Sequence, residues 1–113
     1  MNKVIILSFL LTTGLAFAGQ IQGRVTFAGR PVGEKVKIEI KVPLTASPKS
    51  TETDRKSEYR IYVPAKGSGE IVVHYRLGNN VLKLSHDIVS QDNTVVYNLD
   101  IVQKGGRYIL VTK

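Results

Sequence analysis

Two histidines, His74 and His86, are the side chains of this sequence best suited to acid–base chemistry or to metal binding. Both lie in a segment whose alternating apolar and polar residues predict a β-hairpin. A turn at Asn79-Asn80 sets His74 opposite Ser85 and His86 opposite Val73. His74 then faces outward and His86 inward, so one metal ion cannot bind both. The spacing favours an exposed histidine and a histidine at the rim of the core over a catalytic or metal-binding pair.

The other candidates for chemistry lack the surroundings that their chemistry needs. Ser68 lies in Lys66-Gly67-Ser68-Gly69, which is typical of a flexible turn and not of the strand–turn–helix that presents a hydrolase nucleophile. Glu52 and Asp54 supply two carboxylates, whereas calcium takes about six to eight oxygen ligands. The absence of cysteine excludes disulfides, thiol nucleophiles and cysteine-ligated metal sites. We therefore predict no catalytic residue, no metal site and no cofactor.

The elements that carry these residues are predicted as β-strands, because apolar and polar side chains alternate along most of the chain. The clearest run is 35–42, where valines and isoleucines occupy one face and mainly charged residues the other. Pro64 ends a similar run. The predicted inward residues of the first three strands are Ile21, Gly23, Val25 and Phe27; Val36, Ile38, Ile40 and Val42; and Tyr59, Ile61 and Val63.

The chain ends in a second predicted hairpin, over 94–103 and 107–112. A three-residue loop at 104–106 sets Ile109 opposite Ile101 on the inner face. The opposite face is then either covered or an exposed apolar edge, and either case bears on partners. Its apolar residues are Val102, Tyr108 and Leu110.

Residues 43–57 differ from the rest of the chain. They are polar, contain two prolines and include almost no large apolar side chain. A loop of this length is often functional or disordered, and a short strand over 50–54 is compatible with the pattern. With turns every ~8–12 residues elsewhere, the sequence predicts an all-β fold: an antiparallel Greek-key β-sandwich of about seven strands plus a C-terminal hairpin strand.

Residues 1–18 have the pattern of a secretory signal peptide. A basic residue precedes an apolar segment over 4–11, and Ala16 and Ala18 have the small-x-small spacing that signal peptidase accepts. The segment is shorter than the ~20 apolar residues of a membrane span. We predict cleavage after Ala18, a periplasmic or secreted location, no stable membrane span, and one β-sandwich domain over 19–113.

The sequence is basic, with 16 Lys and Arg against 9 Asp and Glu and a formal net charge of +7, or +6 once Lys3 is removed with the leader. Without a basic run of four or an aromatic-rich basic patch, nucleic acid is not the expected partner. An outward row contains Lys35, Lys37 and Lys41, with Glu39 between them. The row is interpreted either as a surface for an acidic polysaccharide or as protection of an edge strand against pairing.

Three segments carry a family resemblance. Residues 23–33 contain a glycine in the first strand and the turn Gly29-Arg30-Pro31-Val32; Thr53-Asp54 precedes the strand at 59–63; and Gly69 precedes a strand that ends at Gly78. Over about residues 20–102 the chain resembles the carboxypeptidase regulatory-like module, a transthyretin-like (prealbumin-like) Greek-key sandwich. In one departure, Asp54-Arg55-Lys56-Ser57-Glu58 replaces the family's Asp-Gly turn. The resemblance implies a binding or scaffolding role beside other proteins, as such modules accompany peptidases, transport receptors and surface proteins.

An enzymatic alternative is the hydroxyisourate hydrolase that shares the transthyretin fold. That family carries a C-terminal Tyr-Arg-Gly-Ser and catalytic His and Arg residues near its start. This chain ends in a different sequence, 108–113, and its first strands contain no histidine. We therefore predict a non-catalytic exported module for protein interaction or scaffolding in the cell envelope, with acidic polysaccharide as the alternative partner and the oligomeric state left open. The candidate binding residues are Lys35, Lys37, Lys41, Val102, Tyr108 and Leu110.

Overall fold

A computed structural model describes residues 19–113, and the predicted leader with its cleavage site lies outside these residues. The described chain is all-β and forms two packed sheets, which confirms the predicted fold class. It contains no helix with the length and apolarity that crossing a membrane requires. The strands are β1 (Gly19–Phe27), β2 (Arg30–Pro31), β3 (Lys37–Lys41), β4 (Lys49–Glu52), β5 (Glu58–Val63), β6 (Gly67–Leu77), β7 (Asn80–Ser90), β8 (Thr94–Val96), β9 (Leu99–Lys104) and β10 (Arg107–Thr112).

The first sheet is organised around β1. Strand β5 pairs antiparallel with β1, while β8 and β9 pair with it in parallel, an arrangement that the sequence pattern did not indicate. Strand β2 pairs with the end of β1, and β10 pairs with β9. The second sheet has the order β4-β3-β6-β7 and is antiparallel throughout. Within the described residues, β4 and β7 are therefore the edges of the second sheet, and β5 and β10 each pair with a single strand.

One apolar cluster fills the space between the sheets, as the alternation predicts. Ile38 and Val73 from the second sheet and Ile21 and Leu99 from the first are fully buried. Burying a side chain of this size contributes roughly 1.5–3 kcal/mol, so these positions dominate the stability. The remaining members of the cluster are Val25, Val36, Ile40, Val42, Tyr59, Ile61, Val63, Ile71, Ile88, Ile101 and Leu110.

The β6–β7 hairpin has a different register from the predicted one. Leu77 pairs with Asn80 across a two-residue turn at Gly78-Asn79, so Ile71 lies opposite His86 and not opposite Ile88. Gly78 has φ 64°, and glycine is favoured at this first turn position because it adopts positive φ without strain. The predicted register was wrong by two residues. Because side chains alternate with a period of two, every residue nevertheless keeps its predicted face.

The β9–β10 hairpin corrects the predicted surface of the C-terminal tail. A two-residue turn at Gly105-Gly106 sets Leu110, and not Ile109, opposite Ile101. This one-residue difference reverses the faces of β10. Leu110 is 5% exposed and belongs to the core, so the prediction of an exposed face bearing it was wrong.

Tyr108 is also part of the interior and not of an outer binding face. Its ring lies 5.7 Å from the ring of Phe27, which lies 5.2 Å from that of Tyr75. All three are partly buried against the core. Val102, the third residue of the predicted face, is half-buried and pairs with Ile109, so the outward apolar pair of the tail is Val102 and Ile109.

A buried carboxylate, Asp100, fastens the turn after β1. Its Oδ1 accepts hydrogen bonds from the Thr26 hydroxyl at 2.6 Å and from the Gly29 amide at 3.0 Å. Burial raises the pKa of Asp100, but these two donors and the charge of Lys113 outweigh it, so the pKa lies below its ordinary value of 3.8. Strict alternation had placed Thr26 outward in solvent, whereas it is 8% exposed because this hydrogen-bonded pair is covered.

The lowered pKa predicts acid-dependent stability. Because the unfolded chain takes up the Asp100 proton at higher pH than the folded chain, the contribution of Asp100 is complete above about pH 5 and is lost as pH falls through the folded pKa. We expect Asp100→Asn to lose about 1–2 kcal/mol at pH 6 and to show a smaller further loss than wild type between pH 5 and pH 2.5. Urea unfolding at each pH measures this, and Thr26→Val, which removes one donor, should reduce the difference in part. Parallel stability curves for all three proteins would exclude the assigned role.

Candidate functional site

The candidate site is a groove at one corner of the sandwich, where the edges β4 and β5 lie next to each other without pairing. One open depression there has a volume of about 540 Å³, and a second of about 420 Å³ adjoins it. Thr51 of β4 and Arg60 of β5 line both depressions, so they form one continuous feature, here called the corner groove. Its other lining residues include Gln22, Glu52, Asp54, Glu58, Val96 and Asn98.

The strand register places the exposed side chains of this region. Gln22 pairs with Arg60 on one side and with Val96 on the other, which sets these three in one row across the outer face of the first sheet. The next row contains Tyr62, Gln20 and Thr94. Since alternate residues of β5 enter the core, Arg60 and Tyr62 are held outward by the burial of Tyr59, Ile61 and Val63.

Arg60 and Tyr62 have the properties of contact residues. Within residues 19–113 Arg60 forms no ion pair, whereas the neighbouring Arg24 contacts Glu58 at 3.3 Å. Tyr62 is 60% exposed and Val96 is 56% exposed, and both present apolar surface on the outer face of the first sheet. An unpaired guanidinium beside an exposed phenol and amide side chains offers hydrogen bonds to carboxylates and carbonyls together with an apolar surface.

The acidic side of the groove is fixed by a turn. Asp54 Oδ1 accepts hydrogen bonds from the amides of Lys56 at 2.8 Å and Glu58 at 3.0 Å. Ser57 closes this turn at φ 66°, and its hydroxyl accepts from the Gly33 amide at 2.8 Å. In the part of the chain that the structure describes, no cluster of His, Cys, Asp and Glu could hold a metal ion. The two amide hydrogen bonds give the carboxylate of Asp54 a local structural use.

Behind this turn, buried hydrogen bonds hold the groove wall in place. The Thr53 hydroxyl donates to the Gly33 carbonyl at 2.7 Å and accepts from the Val36 amide at 3.0 Å. The Tyr59 hydroxyl donates to the Tyr97 carbonyl at 2.7 Å. Burial, with a smaller effect of Tyr97, raises the pKa of the Tyr59 hydroxyl, so it remains a hydrogen-bond donor. These hydrogen bonds join the groove wall to the 33–36 segment and to the backbone at Tyr97.

The predicted lysine row is divided. Strand β3 lies between β4 and β6, so the interpretation of the row as protection of an edge strand was wrong. Lys35 lies before β3, at φ 66°, and is not part of the strand. Lys37 pairs with Glu52 and His74, and Lys41 pairs with Glu70, so carboxylates accompany the cations across this face.

The two histidines lie on opposite faces of the second sheet, as their positions in the alternation predict. His74 contacts Glu39, and this hydrogen bond is the main reason that the pKa of Glu39 is lowered. His86 faces the interior at the rim, and its Nδ1 lies 2.7 Å from the carbonyl oxygen of Asp87. The two rings do not converge on a common site.

The corner groove was not identified from the sequence, although its side chains had been placed correctly. Arg60 and Tyr62 alternate with the predicted inward residues Tyr59, Ile61 and Val63 and so face outward, and the pattern allows a short strand over 50–54. The missing information was that β4 joins the second sheet and ends beside β5 of the first. No local pattern carries that adjacency.

No family model and no curated protein matches this sequence. Among solved structures, the chain is similar to a DUF3823 family protein from Parabacteroides merdae, with a TM-score of 0.55 and 13% identity over 84% of this chain and 46% of that chain. A 9R-lipoxygenase from Cyanothece PCC8801 matches with a TM-score of 0.46 and 12% identity over 91% of this chain and 18% of that chain. The first likeness shows a shared β-sandwich-type fold alone, and this chain spans less than half of its neighbour's length.

Proposed function

We propose that this chain is an exported, non-catalytic β-sandwich module that binds an extended segment of a protein partner in the corner groove. The observation that carries the proposal is the pair of unpaired strand edges, β4 and β5, lining one groove together with Arg60 and Tyr62. A free strand edge can accept an added strand through backbone hydrogen bonds, and neighbouring side chains then select the sequence. Both requirements are present at this corner.

The side chains of the groove fit a protein partner better than they fit a polyanion. Tyrosine and arginine are enriched at the energetic centres of protein interfaces. Glu52, Asp54 and Glu58 line the same groove and would repel a uniformly acidic polymer. On the outer face of the second sheet, Glu39 and Glu70 similarly interrupt the lysine row. Acidic polysaccharide therefore remains the less supported partner.

The cellular setting of the proposal is the cell envelope. It is supported by the signal-peptide pattern over 1–18 and by the basic composition of the chain. The carboxypeptidase regulatory-like resemblance favours a module that works beside other proteins. The DUF3823 neighbour is consistent with this use, because a sandwich of this kind there occupies less than half of a longer chain.

Site-specific photo-crosslinking tests the proposal in the envelope of the native host. We expect a photoreactive residue in place of Tyr62 or Val96 to form a discrete adduct with one protein, because both side chains are exposed beside the groove. The same residue in place of Lys104, an exposed position in the β9–β10 hairpin, is the matched control. Arg60→Ala should reduce the adduct about tenfold or more if the guanidinium is an energetic centre of the interface.

Equal adducts from all three positions, or an adduct that Arg60→Ala leaves unchanged, would assign binding to another surface. The exposed location of Arg60 implies that its replacement leaves folding intact, with a change of at most about 0.5 kcal/mol in the free energy of unfolding. Thermal unfolding of each variant separates a loss of binding from a loss of structure.

A further inference from the structure

Strand β7 is a long free edge at the other side of the sandwich from the corner groove. It contains 11 residues and pairs only with β6, and β10 of the first sheet lies next to it without pairing. Its alternate residues Val81, Lys83, Ser85, Asp87 and Val89 are all exposed. Val81 and Val89 are 54% and 44% exposed, which is high for valines in a strand whose other face packs on the core. None of these five residues lines the corner groove, so the proposed binding there does not account for their exposure.

The register shows which backbone groups of β7 are free. Leu77 and Asn80 flank the two-residue turn and form a hydrogen-bonded pair, so the even-numbered residues of β7 bond to β6. The amides and carbonyls of the odd-numbered residues therefore point away from β6. The Val89 amide confirms this direction, because it donates to the hydroxyl of Tyr97, between β8 and β9, at 2.8 Å. From Val81 to Asp87, within residues 19–113, none of these outward groups bonds to another backbone group, and the Asp87 carbonyl lies 2.7 Å from His86 Nδ1.

We propose that a second copy of this chain pairs with the β7 edge, antiparallel and with Ser85 of one copy opposite Ser85 of the other. In this register Lys83 faces Asp87 of the second copy, and Val81 faces Val89 of the second copy. Each charge pair and each apolar pair occurs twice, because a two-fold axis passes between the two serines. The edge is therefore complementary to itself in charge and in polarity, and a slip of two residues would set Lys83 opposite Ser85 or Lys83 opposite Val89.

The backbone hydrogen bonds of this pairing follow from the same register. Ser85, Lys83 and Asp87 would exchange about six amide–carbonyl bonds with their counterparts. The Asp87 carbonyl already accepts from His86 at 2.7 Å and keeps its second lone pair for the new bond. Tyr97 occupies the amide of Val89, so the ladder ends there while the valine side chains still touch. The four-stranded sheet of one copy and that of the other copy would then form one continuous sheet.

The opposing explanation is that Lys83 prevents pairing, since a lysine on an edge strand is a common protection against aggregation. The two explanations differ in the role of Asp87. A protective lysine gains nothing from an aspartate placed symmetrically about Ser85, whereas the dimer requires it. Charge reversal and double reversal therefore separate them.

Sedimentation velocity of the purified protein from about 10 µM to 1 mM measures the dimer, a range suited to a single edge-to-edge contact. We expect a monomer–dimer equilibrium that Lys83→Glu weakens about tenfold or more, because two like-charge pairs replace two opposite pairs. The double variant Lys83→Asp with Asp87→Lys restores the complementarity and should restore the dimer. Ser85→Pro should abolish dimerisation without unfolding, because its amide does not bond to β6 and proline is tolerated at such edge positions.

Lys104→Glu is the matched control for charge reversal at an exposed residue of β9, outside the proposed contact strand, and it should leave the equilibrium unchanged. A monomer at all concentrations would overturn the proposal. A dimer that persists in Ser85→Pro, or that the double charge exchange fails to restore, would place the contact elsewhere and overturn it as well. Because none of these variants lies in the corner groove, failure here leaves the crosslinking result at Tyr62 unaffected.

Discussion

Gly23→Ala is expected to lower the free energy of unfolding by at least about 3 kcal/mol. A Cβ at this position would overlap the Tyr97 carbonyl oxygen and lie 2.6 Å from the Tyr97 carbonyl carbon. Both atoms belong to the backbone. That backbone cannot move without disturbing two hydrogen bonds, one from the Tyr97 amide to the Gln22 carbonyl and one from the Tyr59 hydroxyl to the Tyr97 carbonyl. The substitution would therefore disrupt β1 where β8 gives way to β9.

Gly105→Ala is the matched control for this prediction. Gly105 has φ 61° with open space around it, so an added methyl group costs only the left-handed backbone strain, roughly 1–2 kcal/mol. Urea unfolding followed by circular dichroism compares the two variants. Similar losses at both positions would contradict the close approach of β1 to the 97–98 segment.

Leu110→Ala is expected to destabilise the protein by about 2–5 kcal/mol, the cost of a cavity in a packed core. Leu110 is 5% exposed and belongs to the apolar cluster, whereas its neighbour Ile109 points outward and is half-buried. Ile109→Ala should cost about 1 kcal/mol, mainly from lower β propensity. The pair is closely matched because the two residues are adjacent in one strand.

Chemical unfolding of these two variants decides the register of the C-terminal hairpin. A larger loss for Ile109→Ala than for Leu110→Ala would support a three-residue loop and would return Tyr108 and Leu110 to the surface. In that case the tail would again be a candidate binding face.

The sequence pattern identified residues of the core more reliably than their pairing. The alternation of Val36, Ile38, Ile40 and Val42 against charged residues has one solution in which the apolar side is covered, and the structure adopts it. The β6–β7 register was wrong by two residues without changing any face. In β10 both faces carry apolar residues, so the hydrophobic pattern could not choose between them.

The information that decides β10 lies in its turn. Gly105 and Gly106 both adopt positive φ, at 61° and 80°, which is the requirement of a two-residue type I′ turn. A Gly-Gly pair is a recognised sequence signal for that turn. A three-residue loop, as predicted, would shift β10 by one residue and exchange its two faces.

The buried polar groups and the corner groove depend on contacts between distant segments. Thr26 meets Asp100, and Thr53 meets Gly33, across pairings that no local period encodes. The same holds for the approach of β4 to β5, which belong to different sheets. The alternation along the strand predicts Arg60 and Tyr62 on the surface, and only the topology places them beside an open strand edge.

The openness of the corner between β4 and β5 is the central claim of the functional account, and cross-strand nuclear Overhauser effects measure it directly. We predict backbone contacts between β3 and β4, such as Ile38 with Thr51, and between β1 and β5, such as Ile21 with Ile61. Between β4 and β5 we predict no ladder of backbone contacts in the free protein. A continuous ladder joining Thr51 and its neighbours to Arg60 and its neighbours would close the groove and contradict the proposed binding site.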